Sequence, residues 1–118
     1  MKIMYAKTHE WVAIDGNKAK IGISDHAQHE LGDLVFINLP SVGDSITAGE
    51  SFCDVESVKA VSDLYAPVSG NIVAVNEELE SAPETINSDA MGAWICEVEF
   101  DGNVDGLMDE AAYQEFIK

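Results

Sequence analysis

Apolar and polar residues alternate along most of the chain in short runs. Two of them, EWVAI and KAKIGI, flank Asp15-Gly16-Asn17, which predicts a β-hairpin around a turn that needs positive φ. The period then changes. SDHAQHEL sets Ala27 and Leu31 on one face of a short helix, with Ser24 as its cap and Gly32 as its stop. DLVFINL follows as a buried strand closed by Pro40. Short strands punctuated by Gly43-Asp44, Gly49-Glu50, Pro67 and Gly70 lead to a last one, WICEVEF, ended by Asp101-Gly102-Asn103. Leu107, Met108, Ala111, Ala112, Phe116 and Ile117 recur at helical spacing, so a C-terminal helix begins at Asp105 or Asp109. The pattern predicts one mostly β domain over residues 1–118, with short peripheral helices and no linker.

A weak repeat runs through its middle. At an offset of 27, PSVGDSITAGESF lies over PVSGNIVAVNEEL, matching Pro40 with Pro67, Gly43 with Gly70 and Glu50 with Glu77. Gly49 falls on Asn76, the two residue types that most readily take a left-handed backbone. Such a repeat predicts two similar sheet halves about a pseudo-twofold axis. Lys59 lies between the copies. Alternation over Phe52 to Ser57 and again over Val61 to Tyr65 leaves two or three residues for a turn, with Lys59 at its tip and held away from the body. An exposed lysine is ordinarily just solvated; the conjunction of tip and repeat singles this one out.

Charge narrows the function. Twenty-two carboxylates face six lysines and no arginine, for a formal net charge of −16. Nucleic acid and anionic membrane are excluded as partners, because both need a basic surface that this chain lacks. The acidity suits solubility, a monomer kept apart by like charge, and steering toward basic partners. Cys53 and Cys96 stand alone inside strand-like runs and read as buried free thiols. The N-terminal MKIMYAKTHEW shows no signal-peptide or transit pattern, and no apolar run reaches membrane-spanning length. A bacterial cytoplasm is the expected compartment, with the mitochondrial matrix as the alternative for a mature organellar chain. His9, His26 and His29 offer no third or fourth ligand at metal-site spacing, so no metal is expected.

ESVKA, followed by YAPVSG, resembles the lipoyl-attachment region of the glycine cleavage system H protein family. THEWV, GISDHAQHELGDLVFINLP, VNEEL, the trio Pro83, Glu84 and Asn87, then Trp94 and LMDEAAY resemble the family in the same order, from Tyr5 to Tyr113. The resemblance implies a lipoyl/biotinyl-type barrel-sandwich hybrid of two pseudo-symmetric sheets. Lys59 would carry lipoate as an amide, presented by a hairpin over about residues 52–66. It implies a carrier and not an enzyme. A pyridoxal-phosphate glycine decarboxylase would load an aminomethyl group, a tetrahydrofolate-dependent aminomethyltransferase would remove it, and a FAD-containing dihydrolipoyl dehydrogenase would reoxidise the dithiol. A lipoyl ligase or lipoyltransferase would attach the cofactor.

Glu56 belongs to the matched motif and, with Asp54 and Asp63, would form an acidic collar for such a ligase to read. In the family the loaded arm can fold back against the body, and Glu10, Ser24 and His26 would line that sheltering cleft. The chain departs from the family at NSDAMGAWI, where Ala90 and Met91 replace a Pro-Tyr pair and the turn is one residue shorter. Three rivals share parts of this pattern. An acyltransferase lipoyl domain would carry DKA about the lysine, and a biotin carrier would flank it with methionines, whereas Lys59 has Val58 and Ala60. An H-like relay protein that passes lipoate to other enzymes shares the attachment chemistry and differs only in its surfaces.

Overall fold

The computed structural model describes residues 2–118. Two antiparallel sheets enclose the core. The larger has six strands in the order β1 (Lys2–Tyr5), β2 (Glu10–Asp15), β3 (Lys18–Ile23), β9 (Cys96–Phe100), β8 (Gly70–Val75) and β5 (Ser45–Ile46). The smaller has three, β4 (Leu34–Asn38), β6 (Ser51–Ser57) and β7 (Val61–Tyr65). Four short helices surround them: α1 (Asp25–Leu31), α2 (Glu78–Ser81), α3 (Thr85–Ser88) and α4 (Glu110–Phe116). No helix among the described residues is long and apolar enough to cross a membrane.

Local chemistry accounts for the boundaries. The β2–β3 turn has two residues, and Gly16, at φ 65°, meets the need for positive φ at the first central position that a type II′ turn imposes. Ser24 caps α1 by accepting from the Ala27 N–H at 3.1 Å, and Asp109, not Asp105, caps α4 from the Ala112 N–H at 2.8 Å. Inward residues of both sheets, among them Val12, Ile21, Ile37, Val55, Leu64, Ile72 and Val98, make one apolar core, and Ala27 and Leu31 of α1 pack on it. Cys53 and Cys96 are free and buried there. Burial pushes both thiols up, Cys96 to about 12, so neither is a nucleophile at neutral pH.

The repeat is real over its central residues and ends sooner than the sequence suggests. Ser45 pairs with Asn71 and Ile46 with Gly70, so the two copies run antiparallel to each other. Ile72 N–H donates to Asp44 C=O at 2.8 Å, and an offset of 27 carries this contact onto the Ser45–Asn71 pair. Beyond it the copies part. Phe52 lies in a strand and Leu79 in a helix, and Asn76, unlike Gly49 at φ 87°, keeps a negative φ. The sheets are also unequal, because β1–β3 extend only one of them.

One strand departs from expectation. β4 is not buried throughout: Leu34 and Ile37 face the core, while Val35 and Phe36 are exposed by 55 % and 45 %. A β-bulge between Leu34 and Phe36 is the reason, since it breaks the alternation and turns both neighbours outward.

Candidate functional site

β6 and β7 meet through three residues, Val58-Lys59-Ala60. Ser57 closes the turn, its N–H donating to Ala60 C=O at 2.8 Å while its hydroxyl accepts from the N–H groups of Lys59 and Ala60 at 3.2 and 3.1 Å. Val58 N–H donates to Asp33 C=O at 3.0 Å, pinning the tip to the loop after α1. The tip is therefore rigid, and Lys59 is exposed on it.

Its side chain is not held away from the body. Lys59 Nζ donates to the Glu30 carbonyl at 3.1 Å, in the last turn of α1, where helix carbonyls lack intrahelical partners and carry the negative end of the dipole. The approach crosses Gly32, at φ 83°. Below, Asn87 ties this platform together. Its amide donates to Gly32 C=O at 2.9 Å and Gln28 Oε1 at 3.0 Å, and its carbonyl oxygen accepts from Leu34 N–H at 2.8 Å.

The expected acidic collar divides into two rows on the outer face of the small sheet. Phe36, Glu56 and Val61 are direct cross-strand neighbours in the row nearer the tip. Asn38, Asp54 and Asp63 form the next row, so the two aspartates stand directly opposite each other. Among the described residues no ion pair joins any of these carboxylates to Lys59.

Beside the hairpin a cleft of about 260 Å³ runs along the free edge of β7, lined by Thr8, His9, Glu10, Glu30, Asp63 and Tyr65 among others. Glu30, whose carbonyl holds Lys59, borders it. Glu10 is 1 % exposed and takes hydrogen bonds from the Thr8 hydroxyl and, at 3.1 Å, from Tyr65 N–H. Burial raises its carboxyl to about 7, against the opposing pull of those two donors. His9 has a left-handed backbone, φ 77°, and its Nδ1 shares a 2.8 Å hydrogen bond with the Tyr113 hydroxyl. Burial, reinforced by the His26 ring 4.8 Å away, lowers its pKa.

Ser24 and His26 are not in this cleft. They line a separate cavity of about 340 Å³ against α4, with Tyr5, Met91 and Tyr113. The Ser24 hydroxyl is occupied by the α1 cap and by the Tyr113 hydroxyl at 2.7 Å. His9 takes the place in the cleft that had been expected for His26. The substituted loop packs inward at Ala90, whose carbonyl accepts from Trp11 Nε1 at 3.0 Å, and Asp89 closes it on Gly92 N–H at 3.2 Å. Met91 leaves it toward the α4 cavity, so the loop does not border the cleft beside Lys59.

Several functional positions escape a reading of the pattern alone. The Glu30 contact is a backbone carbonyl, which no residue type signals. Gly32 reads only as a helix stop, and Asn87 only as part of a motif. Thr8 and His9 directly precede Glu10 in THEWV, and a non-glycine positive φ has no sequence signature.

The Glycine cleavage H-protein family profile matches residues 3–118. A glycine cleavage system H protein of Acidobacterium capsulatum is 54 % identical over 116 residues, covering 97 % of this chain and 90 % of that protein. One from Thermotoga maritima is 50 % identical over 115 residues, covering 95 % and 93 %. The crystal structure of a glycine cleavage system H protein from Mycobacterium marinum superposes with a TM-score of 0.88 at 40 % identity, covering 97 % of this chain and 94 % of that one.

Proposed function

The chain belongs to the glycine cleavage H-protein family, with its lipoyl-type barrel-sandwich fold, and from that premise we propose that Lys59 carries lipoate as an amide. The protein is the carrier component of the glycine cleavage system. We propose further that residues 1–118 act as one domain, in monomeric form, in the bacterial cytoplasm, and perform no catalysis of their own.

One observation carries the attachment site. Lys59 presents a primary amine on a three-residue tip braced by Ser57 and Asp33, and it contacts Glu30, which lines a cleft able to receive part of an arm. Fit follows from the backbone as much as from the amine. Gly32 lacks the side chain that would obstruct the lysine stem, and Glu30 C=O can accept from an amide N–H as it does from an amine. When bound, lipoate supplies a disulfide that accepts the aminomethyl group and is reduced.

The chain's own residues bind, orient and shelter. The hairpin holds the arm at a fixed origin, and tethering raises its effective concentration at each partner. Those partners are the pyridoxal-phosphate glycine decarboxylase, the tetrahydrofolate-dependent aminomethyltransferase, the FAD-containing dihydrolipoyl dehydrogenase, and a lipoyl ligase or lipoyltransferase. In the cleft, Ile23, Ala27 and Leu31 exclude water while Glu10 and Asp63 offer carboxylates to a cationic amine. Glu10, with its carboxyl near 7, can hold or release a proton there. Glu56, between Phe36 and Val61 beside the tip, is the carboxylate best placed for a ligase to read; Asp54 and Asp63 lie a row further off.

Incubation with lipoate, ATP and a lipoyl ligase tests this. Intact mass should rise by one lipoyl group, peptide mapping should place it on Lys59, and Glu56→Gln should slow the rate. Lipoylation of a Lys59→Ala protein, or none of the wild type, would overturn the assignment.

A further inference from the structure

Tyr113 of α4 joins the outer layer of the molecule to the arm cleft. Its ring stacks on Tyr5, with centroids 4.2 Å apart, and its hydroxyl meets His9 Nδ1 at 2.8 Å and Ser24 Oγ at 2.7 Å. Tyr113 and Ser24 are both 2 % exposed, so these groups have to satisfy one another. Tyr113 lies outside the cleft, whereas His9 lines it with Glu10, Glu30 and Asp63.

Counting protons fixes the direction of the chain. The Ser24 oxygen accepts from Ala27 N–H, and among the described residues its own hydrogen has only the Tyr113 oxygen to meet. Burial keeps the Tyr113 phenol protonated, and it then donates onward to His9 Nδ1. The reverse direction would put a proton on Nδ1 and strand the buried Ser24 hydrogen without an acceptor, which is costly. His9 therefore keeps its proton on Nε2. Burial, and after it the His26 ring, hold the imidazole uncharged at neutral pH against the opposing pull of Glu30. Among the described residues no hydrogen bond reaches Nε2. The backbone of His9 is tied at both ends, N–H to Ala6 C=O and C=O to Ser24 N–H, each at 2.9 Å. A non-glycine residue held at φ 77° points to a functional constraint.

We propose that Tyr113, with Ser24, is a positioning residue for the arm: it fixes His9 as the neutral Nε2–H tautomer, a hydrogen-bond donor in a cleft whose other ionisable side chains are carboxyl groups. Glu10, Glu30 and Asp63 suit the amine end of a loaded arm, and the Thr8 hydroxyl is spent on Glu10. The amide carbonyl and the sulfurs of the same arm need donors instead. A neutral imidazole N–H meets that need without repelling a cationic amine, which an imidazolium would do. The use of His9 rests on the carrier reading; its tautomer does not.

Two measurements test this. In unmodified protein at neutral pH, imidazole nitrogen NMR should show His9 protonated on Nε2 alone. Tyr113→Phe keeps the stacked ring, removes the hydroxyl and should admit the Nδ1–H tautomer. In lipoylated protein loaded from glycine by a glycine decarboxylase, intact mass follows hydrolysis of the aminomethyl thioether to thiol, ammonia and formaldehyde. Tyr113→Phe should speed this loss about fivefold, as expected for one neutral hydrogen bond. Two further variants separate donor from scaffold. His9→Gln places an amide nitrogen near Nε2, whereas His9→Asn places one near Nδ1 and tolerates positive φ better. The glutamine variant should shelter the arm better. The reverse order would show a purely structural role and overturn the proposal. So would an Nδ1–H tautomer in the wild type, or a Tyr113→Phe protein that loses its aminomethyl group no faster. Wild type that takes up no aminomethyl group would overturn the carrier reading, and with it this use of His9, whatever the tautomer.

Discussion

The stem of Lys59 lies across Gly32 so closely that a Cβ built on Gly32 would stand 2.9 Å from Lys59 Cε. The same glycine sits at φ 83°, ψ −165°, a region almost closed to other residues. Gly32→Ala should therefore act twice. Backbone strain should cost about 1–3 kcal/mol of stability by denaturant titration. The methyl group should also displace the flexible lysine from Glu30 C=O, visible as altered shifts at Glu30 and slower lipoylation. Lys59→Ala should reproduce the shift at Glu30 with no comparable loss of stability.

Asn87 supports the platform through three hydrogen bonds to two neighbouring elements. Asn87→Ala leaves Leu34 N–H and Gly32 C=O without their partner, at a cost of roughly 2 kcal/mol. Asn87→Asp keeps the acceptor for Leu34 N–H and loses both donors. Its second carboxylate oxygen then faces two acceptors, Gly32 C=O and Gln28 Oε1, so it should be no more stable than alanine in a denaturation series, and an Asp variant close to wild type would show that the two donors contribute little.

Glu10 makes stability depend on pH in a direction unusual for a carboxylate. Its folded pKa, about 7, lies above the ordinary 4.5, so between these values the folded state binds more protons than the unfolded one. Stability from this group is fully present below about pH 4.5 and is lost as pH rises through about 7. Glu10→Gln removes the titration. The stability of wild type relative to Glu10→Gln should fall by up to about 3 kcal/mol between pH 4.5 and pH 8. A difference that does not vary with pH would mean that Glu10 has the same pKa folded as unfolded.

What the sequence discloses about this protein is mostly local. The three-residue tip at Lys59 was legible because period-two alternation and turn length are properties of neighbours in the chain. The helix cap at Ser24 was legible for the same reason, whereas that of the C-terminal helix was narrowed only to Asp105 or Asp109. The bulge at Val35 was not, since DLVFINL reads as a uniformly apolar strand and only pairing with β6 shows where the alternation breaks. Nor was the resting place of Lys59, which depends on a main-chain carbonyl 29 residues away. Ser24 and His26 went astray through proximity. They lie one contact behind the cleft, linked to it through Tyr113 and His9.

The central claim is carriage by Lys59, and one measurement meets it directly. Lipoylated protein is weighed intact before and after incubation with glycine and a glycine decarboxylase, beside a Lys59→Ala control. A glycine-dependent mass increase on the wild type, absent from the control, is the predicted result. Lipoylated protein that gains no mass from glycine would contradict it, and would point instead to a protein that relays lipoate to other enzymes.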